Sequence, residues 1–234
     1  GATKTITIAG GGSIDTDSQG NTVGGSNAGD SFDSGGIGVG ANFNTLFGFD
    51  AGTDMTSAYN NECFGHQAGA NITTGYGMVC IGRQSGFDLT IQNKVTAIGN
   101  RALYNCTTSN NLAIGYRALY TATGATSNCV TGTEAGYSLT GSYNAAFGGF
   151  AMRNAGDASY NCAFGHGAMQ SISTGDNNTA IGRNAGNGTL STGSNNIMIG
   201  YNADASASDV SNEITLGDAN ITKLRVPGIG LSFT

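Results

Sequence analysis

Side chains suited to catalysis or metal binding are few in this 234-residue sequence. It contains two histidines, His66 and His166, and five cysteines. A nucleophile needs a base within hydrogen-bonding reach, and a metal ion needs several ligands that converge on one point. The sequence contains no Ser/His/Asp or Cys/His cluster and no close pair of carboxylates arranged for acid–base work. We therefore expect no enzyme, no catalytic residue, no metal site and no cofactor.

Aromatic side chains are the next candidates, because four of them recur at nearly constant spacing. They are Phe87, Tyr104, Tyr120 and Tyr137, at intervals of 17, 16 and 17 residues. Such a row could form a platform on which sugars stack, so we take it as a possible glycan-contact site. The alternative is an aromatic ladder that only stabilises stacked turns of the chain.

The spacing of the aromatic row belongs to a repeat that runs through most of the chain. The segment NNTAIGRNAG at 177–186 has relatives at 60–69, 110–119, 143–152 and 160–169. In each of them a glycine, which we call the anchor glycine, follows a short apolar run. Successive anchors are 16 to 18 residues apart. They are Gly48, Gly65, Gly82, Gly99, Gly115, Gly132, Gly148, Gly165, Gly182, Gly200 and Gly217.

Positions around the anchors have constant residue types. The residue before the anchor is large and apolar in most repeats, as in Phe64 and Ile181, and the residue before that is small, as in Cys63 and Ala180. Asn lies four residues before the anchor in eight of eleven repeats, and Ala or Ser lies three residues after it in ten. These constant positions indicate structural units that stack on one another.

A repeat of about 17 residues is too short for a helix pair or a propeller blade, but it suffices for one coil of a β-solenoid. Coils stack about 4.8 Å apart by parallel strand pairing. An anchor glycine suits a bend with positive φ or a close backbone contact. Asn tolerates the left-handed region, and its amide can bond turn backbone or a stacked Asn. We predict an all-β parallel solenoid.

The solenoid determines which reactive side chains can meet. His66 and His166 share a position but lie six coils apart, roughly 29 Å at sheet spacing, so they form no pair. Cys63 and Cys80 are stacked neighbours that a disulfide could join, whereas Cys129 and Cys162 are two coils apart. Because five cysteines leave one unpaired, we favour buried free thiols, as in a protein assembled in a reducing cytosol.

The composition excludes several partners. Charged residues are 10% of the chain and the net charge is −6, so we expect no binding to nucleic acid. No stretch approaches 18 apolar residues, so we expect no membrane insertion. Nine-residue calcium-binding repeats and a regular threonine array for ice binding are also missing from the sequence.

The strand residues suggest a partner of another kind. Neighbouring side chains of a strand point to opposite faces, and here one face is large and apolar while the other is small and apolar. A thin roll has one interior, so we infer that other copies of the chain cover the second face. The alternative is a lone solenoid in which the Ala and Cys positions face water.

Three segments are predicted along the chain. Residues 1–35 form an N-terminal cap or linker with degenerate coils, because terminal repeats are commonly atypical. Residues 36–220 form the repeat domain. Residues 221–234, which contain the single proline Pro227, form an extended C-terminal segment leading to a missing or cleaved domain.

The NxAIGxxA units resemble the head repeats of YadA-like trimeric autotransporter adhesins. The longer 17-residue form, with TGSNNIMIG, is similar to rolls found in bacteriophage tail fibres, and NEITLGDANITKLRVPG is similar to the junction after such a roll. The resemblance covers roughly residues 36–227. It implies a left-handed parallel β-roll that assembles as a homotrimer.

The same resemblance implies a role in attachment. The chain would be a structural or receptor-binding segment of a phage tail fibre or spike. Its partners would be a host-surface glycan or outer-membrane receptor and other tail proteins. Its location would be the virion, after assembly in the host cytoplasm. The alternative is the head of a bacterial trimeric adhesin at the cell surface. No catalytic residue carries over from the family motif.

Overall fold

The structure is a computed structural model that describes residues 6–8, 12–32 and 40–224. All regular secondary structure in these residues is β-strand, in one sheet whose order follows the chain. Most strands have only three residues. They are β1 Ile6–Ile8, β2 Gly12–Thr16, β3 Thr22–Gly24, β4 Thr45–Phe47, β5 Glu62–Phe64, β6 Val79–Ile81, β7 Thr96–Ile98, β8 Leu112–Ile114, β9 Cys129–Thr131, β10 Ala145–Phe147, β11 Cys162–Phe164, β12 Thr179–Ile181, β13 Ile197–Ile199 and β14 Ile214–Leu216.

The sheet is a parallel solenoid from β3 to β14. Each strand pairs in register with the next strand of the chain, so that Phe47 lies beside Phe64 and Ile98 beside Ile114. Each connection between paired strands is a single coil of about 17 residues, which confirms the predicted repeat. At the N-terminal end, β1 pairs with β2 and β2 with β3 in antiparallel fashion.

The anchor glycines occupy the bend that directly follows each strand. From Gly48 to Gly200 their φ angles lie between +122° and +147°, a region that other residues rarely adopt. The backbone of the next coil is also close, because a Cβ on Gly65 would lie 2.6 Å from the carbonyl oxygen of Gly82. Both reasons that the sequence offered for glycine therefore hold at this position.

The asparagines four residues before the anchors form a buried ladder. Asn178 Oδ1 accepts hydrogen bonds from the backbone N–H of Asn196 at 2.9 Å and from its Nδ2 at 3.0 Å. Asn178 Nδ2 donates to the carbonyl of Gly193 at 2.9 Å. The left-handed residue is the preceding one, Asn177, with φ of +58°. The two asparagines of the pair therefore have different tasks, one in the turn and one in the interior.

The core is a narrow column inside the coils. The central residue of each strand from β4 to β13 is buried, as Cys63 and Ala180 show, and the Ala or Ser after each anchor is buried too. The Ala and Cys positions therefore face the interior, and the alternative of a lone solenoid with these positions in water is wrong. One larger side chain in most coils, such as Leu89 or Leu119, fills the remaining space.

The ends of the solenoid compare with the predicted segments as follows. In the predicted cap at 1–35, β3 already pairs in parallel with β4, and Asn21 Oδ1 accepts from the backbone N–H of Asn44 at 2.8 Å. Residues 1–5, 9–11 and 33–39 lie outside the described residues. In the predicted C-terminal segment, residues 221–224 are exposed and carry no strand, and residues 225–234 lie outside the described residues.

Within the described residues, no helix has the length and apolar character needed to cross a membrane.

Candidate functional site

The two histidines lie on exposed turns of different coils. His66 stacks on the ring of Phe49, with centroids 5.5 Å apart, and His166 meets the ring of Phe150 edge-on at 5.3 Å. They follow β5 and β11, six strands apart in the stack. Across the described ranges, no group of three or more His, Cys, Asp or Glu side chains is arranged to hold a metal ion. The histidines are therefore aromatic neighbours within separate turns.

The cysteines are free thiols in two environments. Cys63 and Cys80 are neighbours in adjacent strands and are fully buried, and Cys106 is buried in a turn. The hydrogen bond with the Cys80 thiol, together with burial, raises the pKa of the Cys63 thiol well above its ordinary value. Cys129 and Cys162 instead begin β9 and β11 and point outward, and Cys162 is exposed. The outward orientation of this pair was missed from the sequence.

The structure brings the four predicted glycan-contact residues together as an aromatic ladder. Phe87 and Tyr104 have ring centroids 5.1 Å apart, Tyr104 and Tyr120 5.2 Å, and Tyr120 and Tyr137 5.0 Å. Their planes differ by only 5° to 7°. All four side chains are half-buried. Consecutive coils therefore place these rings face to face.

Because the rings stack on one another, the inner ring faces of the ladder are occupied. Both faces of Tyr104 and Tyr120 contact other rings, so a sugar can approach only their edges and hydroxyl groups. At the Tyr137 end, the guanidinium of Arg153 lies 5.4 Å from the ring centroid. Only the end of the ladder at Phe87 is left without an aromatic or cationic neighbour among the described residues.

Charged side chains beside the ladder were not singled out from the sequence. The Nε of Arg153 lies 2.7 Å from a carboxylate oxygen of Glu134, and Arg117 lies 3.9 Å from the other oxygen. The guanidinium groups of Arg101 and Arg117 lie 5.5 and 5.6 Å from the rings of Tyr104 and Tyr120. A cation two residues after three successive anchor positions, or five after, was the available signal, and it was too irregular to use.

The second candidate surface is the outer face of the short strands. We call it the outer strip, and it consists of the first and third residues of β4 to β14. The third residues are the large apolar ones, and several are exposed, including Phe164 at 59% and Leu216 at 50%. Phe47 and Phe64 stack along the strip with centroids 5.4 Å apart. The second apolar face inferred from the sequence is therefore an outward surface of the chain.

No protein-family model matches this chain, and comparison with curated proteins and with solved structures found no match either.

Proposed function

We propose that the chain is a homotrimeric segment of a phage tail fibre or spike that mediates attachment to the host cell surface. In this proposal the solenoid is the left-handed β-roll that the repeat motif resembles. The observation that carries the proposal is the outer strip, a continuous apolar surface that runs the length of a rigid parallel stack.

The outer strip is large for a surface that faces water. Its eleven strands at about 4.8 Å spacing make it about 50 Å long, and three-residue strands make it about 10 Å wide. Threonines and Glu62 interrupt it, but most of its third-position residues are Phe, Ile or Leu. Monomeric soluble proteins rarely expose contiguous apolar surface beyond a few hundred Å². A covering partner explains why these residues are apolar.

A second and third copy of the same chain fit this surface best. Each rung presents the same residue type at the same height, so parallel copies place Phe against Phe and Ile against Ile along the whole strip. Closed symmetric assembly is the usual form of soluble homo-oligomers. Three flat strips facing a common axis form a closed prism with no strip left open, and the trimeric families that the motif resembles suggest this number.

A trimeric roll suits attachment because it is stiff and presents many surface turns. Each coil is hydrogen-bonded to its neighbours through strands, turns and the Asn ladder, so the segment acts as a rod. The turns on the side away from the strands, including the row of Phe87, Tyr104, Tyr120 and Tyr137, face outward on each copy. The proposed location is therefore the virion, with other tail proteins at the ends of the rod.

A binding experiment tests this proposal. The labelled segment would be incubated with a panel of bacterial strains and with animal cells, and retention would be measured by flow cytometry. We expect saturable retention on a subset of bacterial strains and none on animal cells. Retention on animal cells alone would favour the head of a bacterial adhesin, which carries the same NxAIGxxA motif. Absence of retention on every cell type would contradict a receptor-binding role and leave only a shaft.

A further inference from the structure

A small cleft opens at the Phe87 end of the aromatic ladder. Its volume is about 210 Å³, and its lining includes the ring of Phe87, the methyl group of Ala70 and the polar side chains of Gln67 and Asn71. Pockets for drug-sized ligands usually measure about 300–1,000 Å³. The cleft therefore has the size for a single small ring rather than for an extended ligand.

The cleft exists because the aromatic ladder stops. Phe87 lies five residues after its anchor, and the equivalent residues of the two preceding coils are Ala70 and Thr53. Both are small, and Ala70 is buried. Two rungs without rings leave a gap about 10 Å high at sheet spacing. A flat group of ring size can occupy this gap as the next rung of the ladder.

The free face of Phe87 is the one ring face of the ladder that is available for stacking. Its other face is covered by Tyr104 at 5.1 Å. At the far end, the Arg153 guanidinium takes the corresponding position over Tyr137. The C–H groups on one face of a pyranose ring are weakly positive and apolar, and they match the negative face of an aromatic ring.

Polar groups around the gap are free to bind hydroxyls. Gln67 Oε1 accepts from Gln84 Nε2 at 2.9 Å, and Asn71 Nδ2 donates to Asp88 Oδ1 at 3.1 Å. Among hydrogen bonds between described residues, the other amide atoms, Gln67 Nε2 and Asn71 Oδ1, have no partner. One donor and one acceptor are thus available on the two sides of the ring face.

Two carboxylates on the lining determine the charge of the ligand. Asp50 and Asp54 both line the cleft, and its lining includes no Lys, Arg or His. Carboxylates accept strong hydrogen bonds from hydroxyl groups but repel other anions. The cleft therefore selects against sugars that carry a carboxylate.

We propose that this cleft binds one neutral pyranose, a hexose or an N-acetylhexosamine of a surface glycan, stacked on Phe87 and hydrogen-bonded by Gln67, Asn71 and Asp54. The proposal rests on the proposed attachment function and assigns it a ligand class and a site. Each copy of the chain carries one such cleft, so the trimer binds three sugars and gains avidity on a dense glycan surface.

The test compares the two ends of the same ladder. Wild-type protein, Phe87→Ala and Tyr137→Ala would be applied to an array of neutral and acidic glycans, with circular dichroism and native mass as controls for folding. Each variant removes one terminal ring with one stacked neighbour, but only Phe87 faces the cleft. We expect wild type to bind neutral glycans, Phe87→Ala to lose about tenfold or more in affinity, and Tyr137→Ala to stay within about twofold.

Other outcomes overturn the site in distinguishable ways. Wild-type binding that Phe87→Ala does not change, or a preference for acidic glycans, would reject the cleft while leaving attachment intact. A wild type that binds no glycan but is retained on bacterial cells would reject the sugar and leave a protein receptor. Binding that disappears with a chelator in wild type would show that Asp50 and Asp54 hold a divalent cation instead of the sugar.

Discussion

At the scale of the residue, the fold depends on side chains whose surroundings repeat every coil. The two asparagines at 177 and 178 illustrate this. Asn177 is exposed and takes a left-handed conformation, whereas Asn178 is buried and bonds the coils on both sides. Neighbours of identical type therefore contribute to stability by different physical routes.

The first prediction separates these two asparagines. Asn178→Ala leaves the carbonyl of Gly193 and the N–H of Asn196 without their bonds inside the stack, and we expect it to lower the free energy of unfolding by about 2–4 kcal/mol. Asn177→Gly, at an exposed left-handed position, should change it by less than about 0.5 kcal/mol. Urea denaturation at fixed protein concentration measures both. Equal effects of the two substitutions would refute the assigned roles.

The sequence was informative at positions where one residue type is nearly required. The anchor glycines, the Ala column and the Asn column could be recognised because stacked coils permit few alternatives there. Left-handed residues at Leu103, Leu119 and Met152 could not be recognised, with φ of +50°, +47° and +49°. Glycine occupies the equivalent position in other coils, such as Gly86, so packing overrides the local backbone preference where a large side chain must fill the core.

At the scale of the element, each coil balances the volume of two interior positions. Where Gly86 lies four residues after its anchor, Leu89 fills the core three residues later; where Leu119 takes the first position, Ala122 takes the second. A Cβ on Gly86 would lie 2.6 Å from Leu89 Cδ1 and 2.7 Å from Cys80 Sγ. The coil has space for one large side chain at this level.

The second prediction tests this balance. Gly86→Leu alone should destabilise the fold through overpacking, by about 1–3 kcal/mol, and through the left-handed backbone, by about 1–2 kcal/mol. Adding Leu89→Ala reproduces the Leu119 and Ala122 arrangement and should restore the overpacking part. Denaturation midpoints of the single and double variants measure this recovery. A double variant less stable than Gly86→Leu would show that the two positions do not share one space.

The third prediction concerns the one acidic residue of the outer strip. Partial desolvation raises the pKa of Glu62, and a hydrogen bond from its own backbone N–H opposes this rise. A carboxyl whose pKa is raised on folding binds more protons in the folded state, so stability falls as pH rises from the ordinary pKa to the raised one. Above that window the full cost of the buried charge remains.

Glu62→Gln removes this cost. We expect the variant to unfold at a higher temperature than wild type at neutral pH, and the difference to vanish below about pH 4, where the carboxyl is protonated in both states. Thermal unfolding of both proteins across this pH range is the measurement. A variant less stable than wild type at neutral pH would argue that Glu62 faces water in the assembly.

At the scale of the whole molecule, the sequence predicted the solenoid but not which surface of it is free. The period of the repeat determined the coil, and the alternation of large and small residues showed that a strand had two apolar faces. It did not show which face was inside, because Phe64 and Cys63 are both apolar. The narrow interior decides this: it accommodates Ala or Cys at each rung, and the Phe and Ile side chains point outward.

The candidate site was predictable in part for the same reason. The regular spacing of Phe87, Tyr104, Tyr120 and Tyr137 predicted that they share a column, and the structure places them in one ladder. The cleft beside Phe87 depends on the small residues Ala70 and Thr53 in the preceding coils. A gap in a column is visible in the sequence, but only stacked coordinates show that polar side chains surround it.

The fourth prediction is a thiol footprint of the outer strip. Cys162 is exposed on the single chain, so in the proposed trimer it should react slowly with a bulky maleimide and quickly after denaturation. Ser171→Cys in a Cys162→Ser background adds a thiol on an exposed turn of the same coil and should react quickly in both conditions. Mass spectrometry of the labelled protein follows both sites. Rapid native labelling of Cys162 would contradict a covered strip.

The central claim, that copies of this chain cover the apolar strip, is tested most directly by the mass of the native particle. Sedimentation equilibrium would be run at micromolar concentration on wild type and on Phe164→Asp, which places three carboxylates at one level of the proposed axis. We predict a wild-type mass of three chains, each of 23.5 kDa, and a smaller or unfolded species for the variant. A wild-type protein that is folded and has the mass of one chain would contradict the account.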